Sequence, residues 1–392
     1  MFPPLAADAT LHVFLVLLTV GVVSLRLLIP AWWRMAPVRW GAAAAACAIG
    51  VGFAMWVGGP MIGAYGVSYW GVVLAWGLLT LLAPAVLTLP VVAVAWKAAS
   101  RDRQLPRRKV LQAGVAMVPA AAIGASGDGL VSARAPTKVV QIPMRFPDLP
   151  RDLEGLRILQ LSDLHLGACL QLADFERFLE RAAAAKPDLV LFTGDVADDV
   201  RQITPALELA YGLRPRFGVF ASLGNHEYLH DIRVTRPLYE KSRVPLLVDE
   251  GHAIRVGTST LWLAGADEPT GHPGTFEAPG ARFDVGVRAC LERSPQDSFK
   301  MLMCHRPEGF PVAARGIDGA RFDLTLSGHT HGGQVGLFGK SVLASSERHP
   351  YWWGTYARGA GRLYTTSGFG HWFPFRLGCP AEAPLIVLGR GQ

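Results

Sequence analysis

The chain has 392 residues, 51% of them hydrophobic, and a formal net charge of +7. That length is too great for one average domain and suits two or three units. The first 150 residues carry 12 Lys and Arg against 4 Asp and Glu, and 7 of the 11 tryptophans; the remainder carries 26 against 27. The basic excess therefore lies between apolar runs of the first third, which excludes a nucleic-acid-binding reading drawn from overall charge. The cysteines Cys47, Cys169, Cys290, Cys304 and Cys379 form no CxxC pair and are odd in number, so no disulfide framework is expected.

The chain opens with four apolar runs. Leu11 to Ile29 is broken only by His12, Thr19, Ser24 and Arg26, and Gly41 to Gly59 has no charge. Tyr69 to Trp96 is long enough to span a bilayer with tilt, with Pro84 and Pro90 inside it. Val110 to Val131 is weaker and rich in Ala and Gly. Basic residues gather between runs one and two (Arg34, Arg39) and between three and four (Lys97, Arg101, Arg103, Arg107, Arg108, Lys109), while 60–68 is uncharged. Basic loops stay cytoplasmic. The N-terminus is then outside, and everything beyond about residue 132 is extracytoplasmic on a cell (inner) membrane. Trp70 and Trp96 suit interfacial anchors. The fourth run has a second reading: "PRRKVLQAG" followed by "SARA" looks like a twin-arginine export signal with a cleavage site at Ala133 and Ala135. Both readings export the rest of the chain. Residues 132–154, with Pro136, Pro143, Pro147 and Pro150, read as a linker.

From Leu156 the pattern alternates. "LRILQLSD", "DLVLFTGD", "GVFASLGNHE", "TLWLAGAD", "FKMLMCHRP" and "FDLTLSGHTH" read as strands, and "LADFERFLERAAAAKP" and "ITPALELAYGL" as helices. The expected fold class is α/β. Five of the strands end in polar clusters: Asp163 with His165, Asp195, Asn225 with His226, His305, and His329 with His331. Sites in α/β sheets form at the carboxyl ends of strands, so one crevice can gather all five. Imidazole mixed with carboxylate suits Mn, Fe, Zn or Ni. Two aspartates, one asparagine and four histidines, with His226 in addition, exceed the needs of one ion, and two ions sharing a carboxylate would clamp both oxygens of a phosphoryl displacement. Cys304, beside His305, reads as a small buried hydrophobe.

Together "SDLHLG", "FTGDVADD", "LGNHEY", "CHRPE" and "SGHTHGGQ" resemble the five motifs of the calcineurin-like metallophosphoesterases, in order, over roughly residues 155–385. "LYTTSGFG" and "PFRLGCPAE" look like the end of the domain in the membrane-associated YkuE/YaeI-type branch. The resemblance implies a four-layer α/β/β/α sandwich at 155–392, after a transmembrane region of about four helices at 1–131. It implies two divalent metal ions: Asp163, His165 and His331 on the first, Asp195 bridging, and Asn225, His305 and His329 on the second. His226 would face the scissile phosphate as acid or charge stabiliser, and a metal-bound hydroxide would attack.

The second motif departs from the phosphoprotein phosphatases. They carry an arginine after it, as in "GDYVDRG", where this chain has "GDVADDV". That argues against phosphoprotein substrates and leaves Arg306 and Arg376 as phosphate contacts or structural partners. "HPYWWG" (349–354) and "GHWFPF" (370–375) suggest an apolar lip for a lipid-linked phosphate, or packing of the last strands. The expected function is hydrolysis of a phosphomonoester, phosphodiester or pyrophosphate, with a lipid-linked substrate among the candidates. The extracytoplasmic placement argues against a nucleotide-linked lipid sugar. The alternative is a non-catalytic membrane sensor with a metal-stabilised domain, for which an intact His226 has no use. A transporter would display many ionisable groups within its spans, and here they are few, His12 and Arg26 in the first run and Asp128 in the fourth.

Overall fold

A computed structural model describes residues 4–61, 65–101, 105–167, 170–269, 279–343, 351–371 and 374–391. The chain divides into two units, Met1–Arg134 with Phe373–Leu377, and Ala135–Trp372 with Gly378–Gln392.

The first unit contains the helices Pro4–Val23, Pro30–Trp33, Ala36–Met61, Tyr65–Ser100 and Leu105–Ser132. Among the described residues three segments are long and apolar enough to cross a membrane: Ala36–Gly58, Gly77–Ser100 and Pro106–Ser132. Among the described residues the first expected run holds a shorter apolar helical segment, Phe14–Arg26, which continues the helix Pro4–Val23. There the chain enters a π-helical turn, Ser24–Leu28, and leaves helical geometry at Ile29 (φ −126°, ψ 60°). Pro30 accounts for the break, because a proline lacks its N–H and drives the preceding residue out of the helical region. Pro84 and Pro90 lie inside Tyr65–Ser100 without ending it. Helices Ala36–Met61 and Tyr65–Ser100 meet backbone to backbone: a Cβ at Gly52 would come within 2.9 Å of the Gly71 carbonyl, and one at Gly71 would overlap the Trp56 N–H. Small residues permit such close crossings where no hydrophobic effect drives helices together.

The second unit is a four-layer α/β/β/α sandwich. Its strands are β1 (Lys138–Phe146), β2 (Arg157–Leu161), β3 (Leu189–Thr193), β4 (Val219–Ser222), β5 (Glu250–Val256), β6 (Ser259–Gly265), β7 (Phe299–Met303), β8 (Leu324–Ser327), β9 (Gly336–Leu337), β10 (Lys340–Ser341), β11 (Gly354–Arg358), β12 (Gly361–Thr365) and β13 (Glu382–Arg390). One sheet has the order β1-β13-β2-β3-β4 and the other β11-β12-β8-β7-β6-β5. Strands β2, β3 and β4 are mutually parallel, as are β6, β7, β8 and β12.

Continuous apolar runs make these layers because successive side chains point to opposite faces. Ile158, Leu189, Leu191, Leu261, Leu263, Met301 and Met303 fill the space between the sheets. Their neighbours Leu159, Val190 and Phe192 pack with Phe175, Phe178, Ile203 and Leu207 of the helices Leu172–Ala182 and Ile203–Tyr211. Trp262, Ala264 and Leu302 pack with Phe283 and Val287 of the helix Pro279–Leu291. Lys186, in left-handed geometry (φ 46°), ends the turn after Leu172–Ala182. The segment read as a linker holds a nine-residue strand, β1, paired in parallel with β13. Its Pro143 fits because β1 is an edge strand, where a missing ladder donor costs least.

Candidate metal centre

Each polar cluster lies within a few residues of the carboxyl end of a parallel strand: Asp163 and His165 after β2, Asp195 after β3, Asn225 and His226 after β4, His305 after β7, His329 and His331 after β8. The backbone turns sharply at these points. Asp163 (φ 55°), His165 (φ 49°), Asp195 (φ 55°), His329 (φ 67°) and His331 (φ 49°) all adopt left-handed geometry. Non-glycine residues rarely do so, and such positions concentrate at functional sites. Two glycines make the approach possible. A Cβ at Gly224 would overlap Asp195 Oδ1, and one at Gly328 would overlap the Asp163 carboxylate and the Ser162 hydroxyl.

The structure brings the expected side chains together across both sheets. Asp163 Oδ1 lies 3.3 Å from His331 Nε2, which is 3.1 Å from His165 Nε2. Asp195 Oδ2 lies 3.2 Å from His305 Nε2 and 3.8 Å from His165 Nε2. Asn225 Oδ1 faces His305 Nε2 at 3.2 Å and His329 Nδ1 at 2.7 Å. Donor atoms of Asp163, His165 and His331 lie close enough to hold one cation, as do those of Asp163, Asp195 and His305. Carboxylate, amide and imidazole donors converging from five loops suit a transition metal. The paired ring nitrogens of His165 and His331 fit a shared cation better than a hydrogen bond between two imidazoles.

Backbone and buried polar groups fix these ligand atoms. The N–H groups of His226 and His329 donate to Asp195 Oδ1 and Asp163 Oδ1, both at 2.9 Å. His305 Nδ1 donates to the Thr193 carbonyl at 2.8 Å, which orients the ring with Nε2 toward Asp195. Burial works against charge on Asp163, but His331 and His305 override it and hold its carboxyl below the usual range. Burial likewise opposes the charged Asp195, and His305 and His226 hold it well below. The same carboxylates overcome burial on the histidines, raising His226 to about 9 and His305 to about 10. His329 goes the other way, lowered by burial and by the cations Arg306 and His305.

Three residues with clear places here were not assigned from the sequence. Asp198 Oδ1 accepts from two rings, His226 Nδ1 at 2.7 Å and His165 Nδ1 at 3.2 Å, and lies 3.6 Å from His230 Nε2. Glu227 is buried and accepts from the N–H groups of Gly224 (2.8 Å), Val196 (3.0 Å) and Asp195 (3.1 Å) and from the Tyr239 hydroxyl (2.7 Å). Glu268, which follows β6, pairs with Arg306 at 2.6 Å. Asp198 and Glu227 stand inside the motifs "GDVADD" and "LGNHEY", so their signal was present. Arg306 also reaches His329 Nε2 at 2.8 Å. Arg376 is fully buried. Cys304 packs in an apolar cluster, and burial pushes its thiol up, as a small core residue requires. Of the aromatic stretches read as a lip or as strand packing, two residues make contacts within the fold. Tyr351 packs on Phe310, and Trp353 Nε1 donates to buried Glu382, while His349, Pro350, Trp372 and Phe373 lie outside the described residues.

Comparison with known proteins matches this part of the chain. The calcineurin-like phosphoesterase family matches residues 156–333. A zebrafish (Danio rerio) transmembrane protein with metallophosphoesterase domain is 30% identical over 66% of this chain and 59% of its own length. An uncharacterized metallophosphoesterase of Campylobacter jejuni is 28% identical over 64% of this chain and 63% of its own. The uncharacterized metallophosphoesterase YkuE of Bacillus subtilis is 28% identical over 57% and 74%. The chain thus spans about three fifths of the first two relatives. The motif-bearing loops and these relatives together identify residues 156–333 as a calcineurin-like phosphoesterase domain.

Proposed function

We propose that this chain is a membrane-anchored, metal-dependent hydrolase of phosphoric esters, with its catalytic domain extracytoplasmic. One observation carries the reading: Asp163, Asp195, His165, His305 and His331 arrive from two sheets with their donor atoms within 3.8 Å of a neighbour. Asp163, His165 and His331 would hold one divalent ion, Asn225, His305 and His329 would hold a second, and Asp195 would serve both. Mn, Fe, Zn or Ni suits these donors. Such ions act as Lewis acids toward the phosphoryl oxygens and the attacking water.

The chain's own groups do the rest. Asp198 anchors Nδ1 of His226 and leaves Nε2 to meet the ester. The neighbouring carboxylates favour the imidazolium, so His226 can give a proton to the leaving oxygen. Glu227 ties the loops after β3 and β4 together and keeps Asp195 in place. The basic cluster from Arg101 to Lys109 supports a cytoplasmic end for Gly77–Ser100, and Pro106–Ser132 then leads outward. The catalytic domain begins near residue 138, where β1 enters the sheet.

The test uses the full chain in detergent, stripped with chelator and reloaded with Mn, on p-nitrophenyl phosphate and bis-p-nitrophenyl phosphate. Turnover should require the metal. Asp195→Asn should lose metal and at least about 10³-fold in rate. His226→Ala should keep metal and lose about 10²- to 10⁴-fold. A wild type that binds metal yet hydrolyses neither these esters nor lipid phosphates would overturn the reading in favour of a sensor.

A further inference from the structure

Just past the loop that bears His329 and His331 the chain makes a small hairpin, β9 against β10. Phe338 (φ 51°) and Gly339 (φ 75°) form its tip, and the Val342 N–H donates to the Val335 carbonyl at 3.1 Å. A two-residue turn with both φ positive favours Asn or Asp at its first position, because their short polar side chains tolerate left-handed geometry. Here that position is a phenylalanine that is 95% exposed, next to Leu337 at 60%. Val342 and Leu343 follow at 51% and 43%. Single exposed apolar residues are ordinary, but four within one strained hairpin form a patch. The segment 335–343 holds one cation, Lys340, and no acid. Its base is built onto the ligand loop: Leu343 covers Gly333, two residues past His331, so closely that a Cβ there would overlap its Cδ1.

We propose that this hairpin inserts Leu337 and Phe338 into a lipid surface, so that the adjoining centre meets phosphoesters at the bilayer interface. An aromatic and a leucine at a tight tip, with a lysine beside them at headgroup depth, have the composition of an interfacial contact. The same chain supplies three helices suited to crossing a membrane. Insertion stands by itself, whereas delivery of a lipid phosphoester rests on the esterase reading.

Trifluoromethyl-phenylalanine placed at position 338 of the full chain, in vesicles of phosphatidylcholine and phosphatidylglycerol, reports insertion by fluorine relaxation. Dissolved oxygen, concentrated in lipid, should relax it more than a water-soluble gadolinium chelate does. The same probe at Asp318, a side chain 80% exposed, should show the reverse. A probe at 338 that behaves like the one at 318, or that neither agent reaches because protein covers it, overturns insertion. The double variant Leu337→Ser, Phe338→Ser should turn over phosphatidic acid in vesicles about tenfold more slowly, having lost two apolar contacts. Its rate on p-nitrophenyl phosphate should match the wild type. Equal losses on both esters, or no loss on either, overturn delivery. A wild type inactive on every ester sinks the esterase reading and leaves the fluorine result standing.

Discussion

In the helical unit Trp40, Trp70, Leu87, Val91, Val94 and Val110 are between 59% and 74% exposed. In the sandwich Asp163, Asp195, Glu227 and His305 are at most 2% exposed. Both arrangements run against packing in water, where apolar area is favoured inside and ionisable groups outside. The sandwich keeps its buried ionisable groups because each is paired, Asp195 with His305 and Glu227 with four donors. Lipid as their solvent would supply the compensation for the helices' apolar exteriors. An exposed surface therefore reports the solvent it was built for, and a buried charge reports the partners it was built around.

Removing a partner in the sandwich tests the second half of this contrast and should have the largest effect. Glu227→Ala strands three backbone N–H groups and a tyrosine hydroxyl in a buried place, which should destabilise the fold by about 3–5 kcal/mol. A fall in thermal midpoint of the full chain in detergent would register it, and an unchanged midpoint would break the comparison. On the helical side, Leu87→Lys near the middle of Gly77–Ser100 should cost about 2.5–3.5 kcal/mol of insertion if that surface meets hydrocarbon. Alkaline extraction of membranes would then release more of the variant. On a surface facing water the same change would shift stability by no more than about 0.5 kcal/mol. Asp198→Asn sharpens the contrast most gently, since it keeps shape and burial and removes only the charge that orients His165 and His226. A drop in kcat of about ten- to a hundredfold is expected. A change confined to KM would mean that Asp198 serves the substrate rather than the histidines.

How far the chain could be read beforehand varied along it. The central strands β2, β3, β7 and β8 were plain because each apolar run stops at a polar cluster. The edge strands β1 and β5 were not, since half of an edge strand faces water and β1 carries Pro143 and Arg145. Asp198 and Glu227 sat inside quoted motifs, yet only their partners reveal what they do. Leu337 and Phe338 resemble ordinary strand residues until the fold leaves them outside. The first apolar run was read as ending at Ile29, and the helix breaks there.

The sequence by itself determined the local facts: which runs are apolar, where they stop, and which side chains stand at their ends. Those follow from periodicity and residue chemistry within a few neighbours. Only the tertiary structure decided that Asp195 and His305, 110 residues apart, lie 3.2 Å from each other, and that β1 closes against β13 from the far end of the domain. Such pairings depend on how two sheets stack and which strand each edge accepts. Contacts of that range are set by the burial of the whole core between the sheets, which no local window of sequence contains.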